Sequence, residues 1–150
     1  MEESLYEAKQ ELKRADHLIF VSLKYTRTVD VFKSIIQRLI NVFDHLMDTL
    51  LKFKEQQIPQ VPRVKVELVK SLYASNELIQ EYMCLYLFLR AVDRAQFDRT
   101  LEYRRHVTMT AHLDDKEIEI SIDIIEEYFN RVREFVEYVE RLINGEIEQL

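Results

Sequence analysis

Eight apolar residues, Val29, Phe32, Ile36, Leu39, Phe43, Leu46, Leu50 and Phe53, follow one another in unbroken steps of three and four. Steps of that size bring side chains to one face of an α-helix, so the stretch predicts a helix over about 27–55. Twenty-five helical residues would span about 37 Å at 1.5 Å per residue. Ile35, Ile40, Val42, Met47 and Leu51 flank the seam. They make the apolar face wider than a coiled-coil stripe, so it must meet more than one neighbour. Those neighbours are expected from other helices of this chain or from a second copy.

The rest of the chain is consistent with a helical partner set. One Gly and two Pro in 150 residues leave little material for the tight turns of a strand-rich fold. The length suits one domain over 1–150, long enough to bury about 70% of its unfolded surface. With 47% hydrophobic and 32% charged residues the chain is too apolar to stay disordered. Ser4 and Glu7 suggest a capping box, and Leu5, Ala8, Leu12, Ala15 and Ile19, widened by Phe20 and Leu23, carry a first helix to about Lys24. Pro59 and Pro62 break the chain after the long helix. Pro62 then suits the first turn of a short helix over Arg63–Tyr73, with Val64, Leu68, Val69 and Leu72 inward. Ser75 is expected to cap the next helix, whose Tyr82–Leu89 run is apolar on all sides and hence central. Cys84 lies in that run and reads as a small buried hydrophobe; as the only cysteine it has no disulfide partner within the chain.

After a charged stretch over 90–105, with a bend near Asp93–Gln96, the period changes from helix to strand. His106, Thr108, Thr110 and His112 alternate with Val107, Met109, Ala111 and Leu113; Ile118, Ile120 and Ile122 alternate with Glu117, Glu119 and Ser121. A turn at Asp114-Asp115 would pair 112 with 117, 111 with 118 and 109 with 120, apolar against apolar and polar against polar. A β-hairpin at about 106–122 is therefore expected, with an edge open to pairing with another copy. A final helix starts near Ser121 or Asp123, carries a seam from Ile125 to Leu142 and stops at Asn144-Gly145. The fold class is mostly α: a bundle of four to five helices with one β-hairpin before the C-terminal helix.

The N-terminus reads as no signal peptide, and no apolar run approaches the length of a membrane span, so a cytoplasmic location without membrane attachment is expected. The net charge of −6 is uneven: residues 1–113 sum to +2 and residues 114–150 to −8. Any polyanion would have to meet the first two thirds of the chain. The lone Gly excludes Gly-rich phosphate loops, the lone Cys excludes cysteine-rich zinc sites, and neither His-Glu-x-x-His nor Glu-x-x-His occurs. Neither a cofactor nor a metal is expected. His17 and His45 read as boundary or solvent residues. His112 and Glu117, with Glu119 and His106 on the same strand face, read as cross-strand ion pairing in preference to a weak metal site. Lys24, Arg27 and Asp30 read as a helix boundary with Thr28 or Asp30 capping; the alternative is phosphate binding by the two cations.

Arg90, Arg94, Arg99, Arg104 and Arg105 crowd one stretch, interleaved with Asp93, Asp98 and Glu102. An ion-paired surface is one account. The other starts from Arg99 and His106, separated by six residues, in Arg99-Thr100-Leu101-Glu102-Tyr103-Arg104-Arg105-His106. Here the chain resembles the HEPN class of small helical domains, many of them ribonucleases that act without metal at a dimer cleft. The resemblance implies catalytic roles for Arg99 and His106, RNA as the ligand, and phosphate contacts from Arg104 and Arg105. An imidazole can move a proton at a ribose hydroxyl, and a guanidinium can stabilise a charged phosphate. Independently of that resemblance, the residues favour a non-enzymatic interaction or assembly module, homodimeric through the long helix and the hairpin edge. A protein partner docking on the acidic C-terminal helix is the remaining class.

Overall fold

The computed structural model describes residues 1–147. Its centre is the expected long helix, α3 (Val29–Phe53). Thr28 stands extended before it, and its hydroxyl accepts from the Val31 N–H at 3.4 Å. From Val29 to Leu50 every member of the seam is buried, and so are Ile35, Ile40, Val42, Met47 and Leu51. The helix ends at Lys54, after which Glu55 adopts φ 57° and Gln56 N–H donates back to the Leu51 carbonyl at 2.9 Å.

The neighbours that cover this face all come from the same chain. Along one side runs α1 (Glu2–His17), which passes through a π-helical turn (Leu18–Ser22) into α2 (Leu23–Tyr25) without leaving right-handed backbone. The start is at Glu2, ahead of the expected capping box, and the Ser4 hydroxyl donates to the Met1 carbonyl and receives the Thr49 hydroxyl's hydrogen bond. Phe20, expected inward, is 53% exposed because the π turn swings it out, where it meets Phe129 edge-on at 6.1 Å.

After the proline break come α4 (Pro62–Leu72), α5 (Glu77–Arg94) and, last, α6 (Ile122–Ile143). Pro62 opens α4 as expected, but the buried face is Val66, Val69 and the following Tyr73, while Val64 is exposed. The Tyr73 hydroxyl fixes that register by donating to the Leu50 carbonyl at 2.8 Å. Asn76, not Ser75, caps α5, accepting from Ile79 N–H at 3.0 Å. The Tyr82–Leu89 run is not buried all round: Cys84 and Leu87 face solvent. Tyr82, Tyr86, Phe43 and Phe135 form an aromatic layer between α3, α5 and α6, with ring centroids 4.2–5.6 Å apart in successive pairs. Ser121 caps α6 through Ile124 N–H, and Gly145 at φ 75° ends it. No helix among the described residues is long and apolar enough to cross a membrane.

Between α5 and α6 lies a three-stranded antiparallel sheet, β1 (Gln96–Thr100), β2 (Thr108–His112) and β3 (Glu117–Ile120), in the order β1-β2-β3. The β2–β3 hairpin has the expected register, His112 opposite Glu117, Ala111 opposite Ile118 and Met109 opposite Ile120. The sheet corrects the hairpin in two ways. The strands begin at Thr108, so His106 belongs to a loop. The bend near Asp93–Gln96 is the end of α5, beyond which β1 covers the β2 edge. The broad face of α3 is thus buried within the chain and β1 covers the β2 edge of the hairpin, while the outer edge of β3 pairs with no strand among the described residues.

Candidate functional site

Antiparallel partners project to the same side of a sheet. Phe97 lies opposite Ala111 and Arg99 opposite Met109, so both stand on the face that packs on the helices. Arg99 reaches the start of α3. Its Nη1 lies 2.8 Å from Asp30 Oδ1 and 3.8 Å from Glu102 Oε2, and its guanidinium sits 5.2 Å from the centre of the Phe97 ring. The charged stretch over 90–105 is not one helix, because α5 ends at Arg94 and β1 follows from Gln96.

The loop from Leu101 to Val107 leaves β1 and docks on that same helix start. Glu102 Oε2 accepts the otherwise free Val29 N–H at 3.0 Å, a carboxylate placed where the helix dipole is positive. Tyr103 N–H donates to the Arg27 carbonyl at 2.6 Å. Arg104 N–H donates to the Leu101 carbonyl and Val107 N–H to the Arg104 carbonyl, while the Val107 side chain is fully buried. Leu101 and Tyr103 have φ of 54° and 67°. Left-handed backbone costs a residue with a Cβ roughly 1–2 kcal/mol, and such outliers cluster at functional sites.

What this anchored loop displays is Leu101, Tyr103, Arg104, Arg105 and His106, all exposed. Beside it, joined through the Tyr103–Arg27 hydrogen bond, is the end of α2 with Lys24, Tyr25 and Arg27. Tyr25 is 83% and Tyr103 76% exposed. Among the described residues none of Lys24, Arg27, Arg104 and Arg105 pairs with a carboxylate. Next to them a hollow of about 240 Å³ has an apolar floor of Ile19, Phe20, Leu23 and Ile122 under Lys24 and Arg27, with Glu126 as its one acid.

The residues singled out in the sequence therefore separate. Arg104, Arg105 and His106 share the exposed loop. Arg99 is tied down behind it in an ion pair with Asp30, and no hydrogen bond among the described residues joins it to His106. Lys24, Arg27 and Asp30 do not share a helix face, because Thr26, at φ −132°, interrupts the helix between them. Sequence reasoning missed Tyr25 and Tyr103, although two tyrosines set among unneutralised cations were a readable signal. On the outer sheet face His112 stands between Asp98, at 2.7 Å from Nε2, and Glu117, at 3.2 Å from Nδ1. The Asp98 hydrogen bond, joined by the charges of both acids, raises its pKa above the ordinary value despite slight desolvation. No group of three or more His, Cys, Asp or Glu among the described residues is arranged to hold a metal. Comparison of the chain with protein-family models, with curated proteins and with solved structures finds no match.

Proposed function

We propose that the protein is a non-catalytic interaction module that holds single-stranded nucleic acid on the Leu101–Val107 loop and the adjoining end of α2. One observation carries this reading: two largely exposed tyrosines stand among four cations that form no ion pair among the described residues, on a chain whose net charge is −6. A tyrosine ring in water is a stacking surface for an unpaired base, worth about 1–3 kcal/mol per base, and stacking accepts any base. The lysine and arginines would neutralise the phosphates on either side. The hollow under Lys24 and Arg27 has the apolar floor and cationic rim that suit a base and its flanking phosphate. The HEPN resemblance points to the same ligand. Arg99, the other residue of that resemblance, pairs with Asp30 and Glu102 and has no hydrogen bond to His106 among the described residues, which favours binding over catalysis.

The test is fluorescence anisotropy with a labelled single-stranded RNA of mixed sequence. Arg104→Glu combined with Arg105→Glu should lower affinity by at least about tenfold and flatten the salt dependence. Tyr103→Ala should weaken binding at all salt concentrations alike. Affinity unchanged in both variants sinks the proposal. Cleavage of the RNA that disappears in His106→Ala would replace it with the ribonuclease reading.

A further inference from the structure

A second cationic site lies elsewhere, in the groove between α1 and the middle of α3. Gln10, Lys13, Arg14 and His17 share one face of α1, at helix-neighbour spacings. With Leu18 and with Arg38 of α3 they line a cup of about 350 Å³ that no carboxylate enters. Beneath it is Glu11, 7% exposed. Its carboxylate accepts from Arg14 Nη1, from Arg38 Nη1 at 3.2 Å and from Asn41 Nδ2 at 3.3 Å. Burial alone would push this carboxyl up, but the hydrogen bonds from Asn41, Arg38 and Arg14 outweigh burial and hold it below its usual range.

Glu11 thus stays ionised and holds both guanidiniums, while 53% of the Arg14 side chain and 42% of the Arg38 side chain remain exposed. One buried negative charge cannot neutralise Lys13, Arg14 and Arg38 together, so the cup keeps a net positive charge. Guanidiniums held in place before binding lose little entropy when an anion arrives. The cup also ends where the π turn begins, at Leu18. Such turns are rare, and many sit at functional sites.

We propose that this cup binds the phosphate group of a small phosphorylated molecule, with Arg14 and Arg38 gripping the phosphoryl oxygens and Lys13, His17 and Gln10 closing around them. The concave shape and the volume, at the low end for small-molecule sites, suit a terminal phosphate and not a polymer backbone. The site is separate from the tyrosine-bearing loop and does not depend on it.

Isothermal titration of the whole chain with inorganic pyrophosphate, at low and constant ionic strength, tests the assignment. Saturable one-to-one binding is expected. Lys13 is exposed and makes no ion pair among the described residues, so Lys13→Glu leaves the fold intact and should weaken binding by about tenfold or more. Arg38→Gln should do the same, with its folded state checked by circular dichroism. Arg104→Glu combined with Arg105→Glu should leave pyrophosphate affinity unchanged, and Lys13→Glu should leave RNA affinity unchanged. No saturable binding by the wild type, an unaltered affinity in Lys13→Glu, or a loss in the Arg104/Arg105 variant as large as in Lys13→Glu overturns the proposal.

Discussion

From Val29 to Leu50, α3 buries its whole apolar seam, whereas β1 leaves four of its five residues exposed. Both regions are held in place by their own chemistry, but by different chemistry. The helix is held chiefly by area removed from water on several sides, with polar contacts at its margins, among them Arg38 and Asn41 to Glu11, Thr49 to Ser4 and Asp44 to Tyr86. The sheet end is held by named polar links, Glu102 to Val29 N–H, Tyr103 N–H to the Arg27 carbonyl and Arg99 to Asp30, with Val107 as its apolar anchor. It also keeps two left-handed residues that the helical core has no need of. The contrast teaches where each property resides. Stability is concentrated where side chains touch only one another, and displayed chemistry where the backbone is pinned and the side chains are released.

The largest effect that would sharpen this contrast belongs to the core. Phe43 is fully buried and touches the rings of both Tyr86 and Phe135. Phe43→Ala should cost about 3–5 kcal/mol in urea unfolding, through lost transfer energy and the cavity left behind. RNA affinity of the fraction still folded should not change. If affinity fell in proportion to stability, the two regions would be one cooperative unit and the contrast would fail.

The reverse pattern is expected at Tyr103. Glycine tolerates φ 67° without a Cβ penalty, and the tyrosine ring is mostly in water, so its removal forfeits little burial. Tyr103→Gly should therefore raise stability by about 1 kcal/mol while lowering RNA affinity. A variant that is both less stable and equally able to bind would show that the left-handed backbone is incidental to the loop's work.

The same contrast explains what could be read from the residues. The seam of α3 was legible because period and burial coincide over about six turns. The β2–β3 register was legible because one face is apolar and a slip of one residue would expose it. β1 was not. Its only apolar side chain is Phe97, and an exposed edge strand needs no alternation, so Gln96–Thr100 looks like the charged end of a helix until β2 is present to pair with it. The following loop lacks Gly, Pro and Asn, so its turn at Leu101 and Tyr103 carried no sequence signal. Arg99, Arg104, Arg105 and His106 were read together; the last three share that loop and Arg99 lies on β1. The commitment of Arg99 to Asp30, 69 residues away, lay beyond any local pattern. Cys84 was misread because composition within an apolar run says nothing about which side of α5 faces water.

The smallest effect concerns the outer face of the sheet, where polar links again stand in for burial. His112 joins all three strands, lying on β2 between Asp98 of β1 and Glu117 of β3. Those contacts favour the imidazolium and raise its folded pKa above the unfolded value of about 6.5. The folded state therefore holds the proton more tightly. The contribution is fully present below about pH 6.5 and is lost as pH rises through the folded pKa. The ring is exposed and the acids are solvated, so the effect is modest and weakens with salt. The difference in thermal midpoint between wild type and His112→Gln should be positive near about pH 5.5 and shrink toward about pH 8.5. A difference that stayed constant with pH would mean that His112 acts by packing, and that the sheet end is less dependent on its polar links than the comparison with α3 requires.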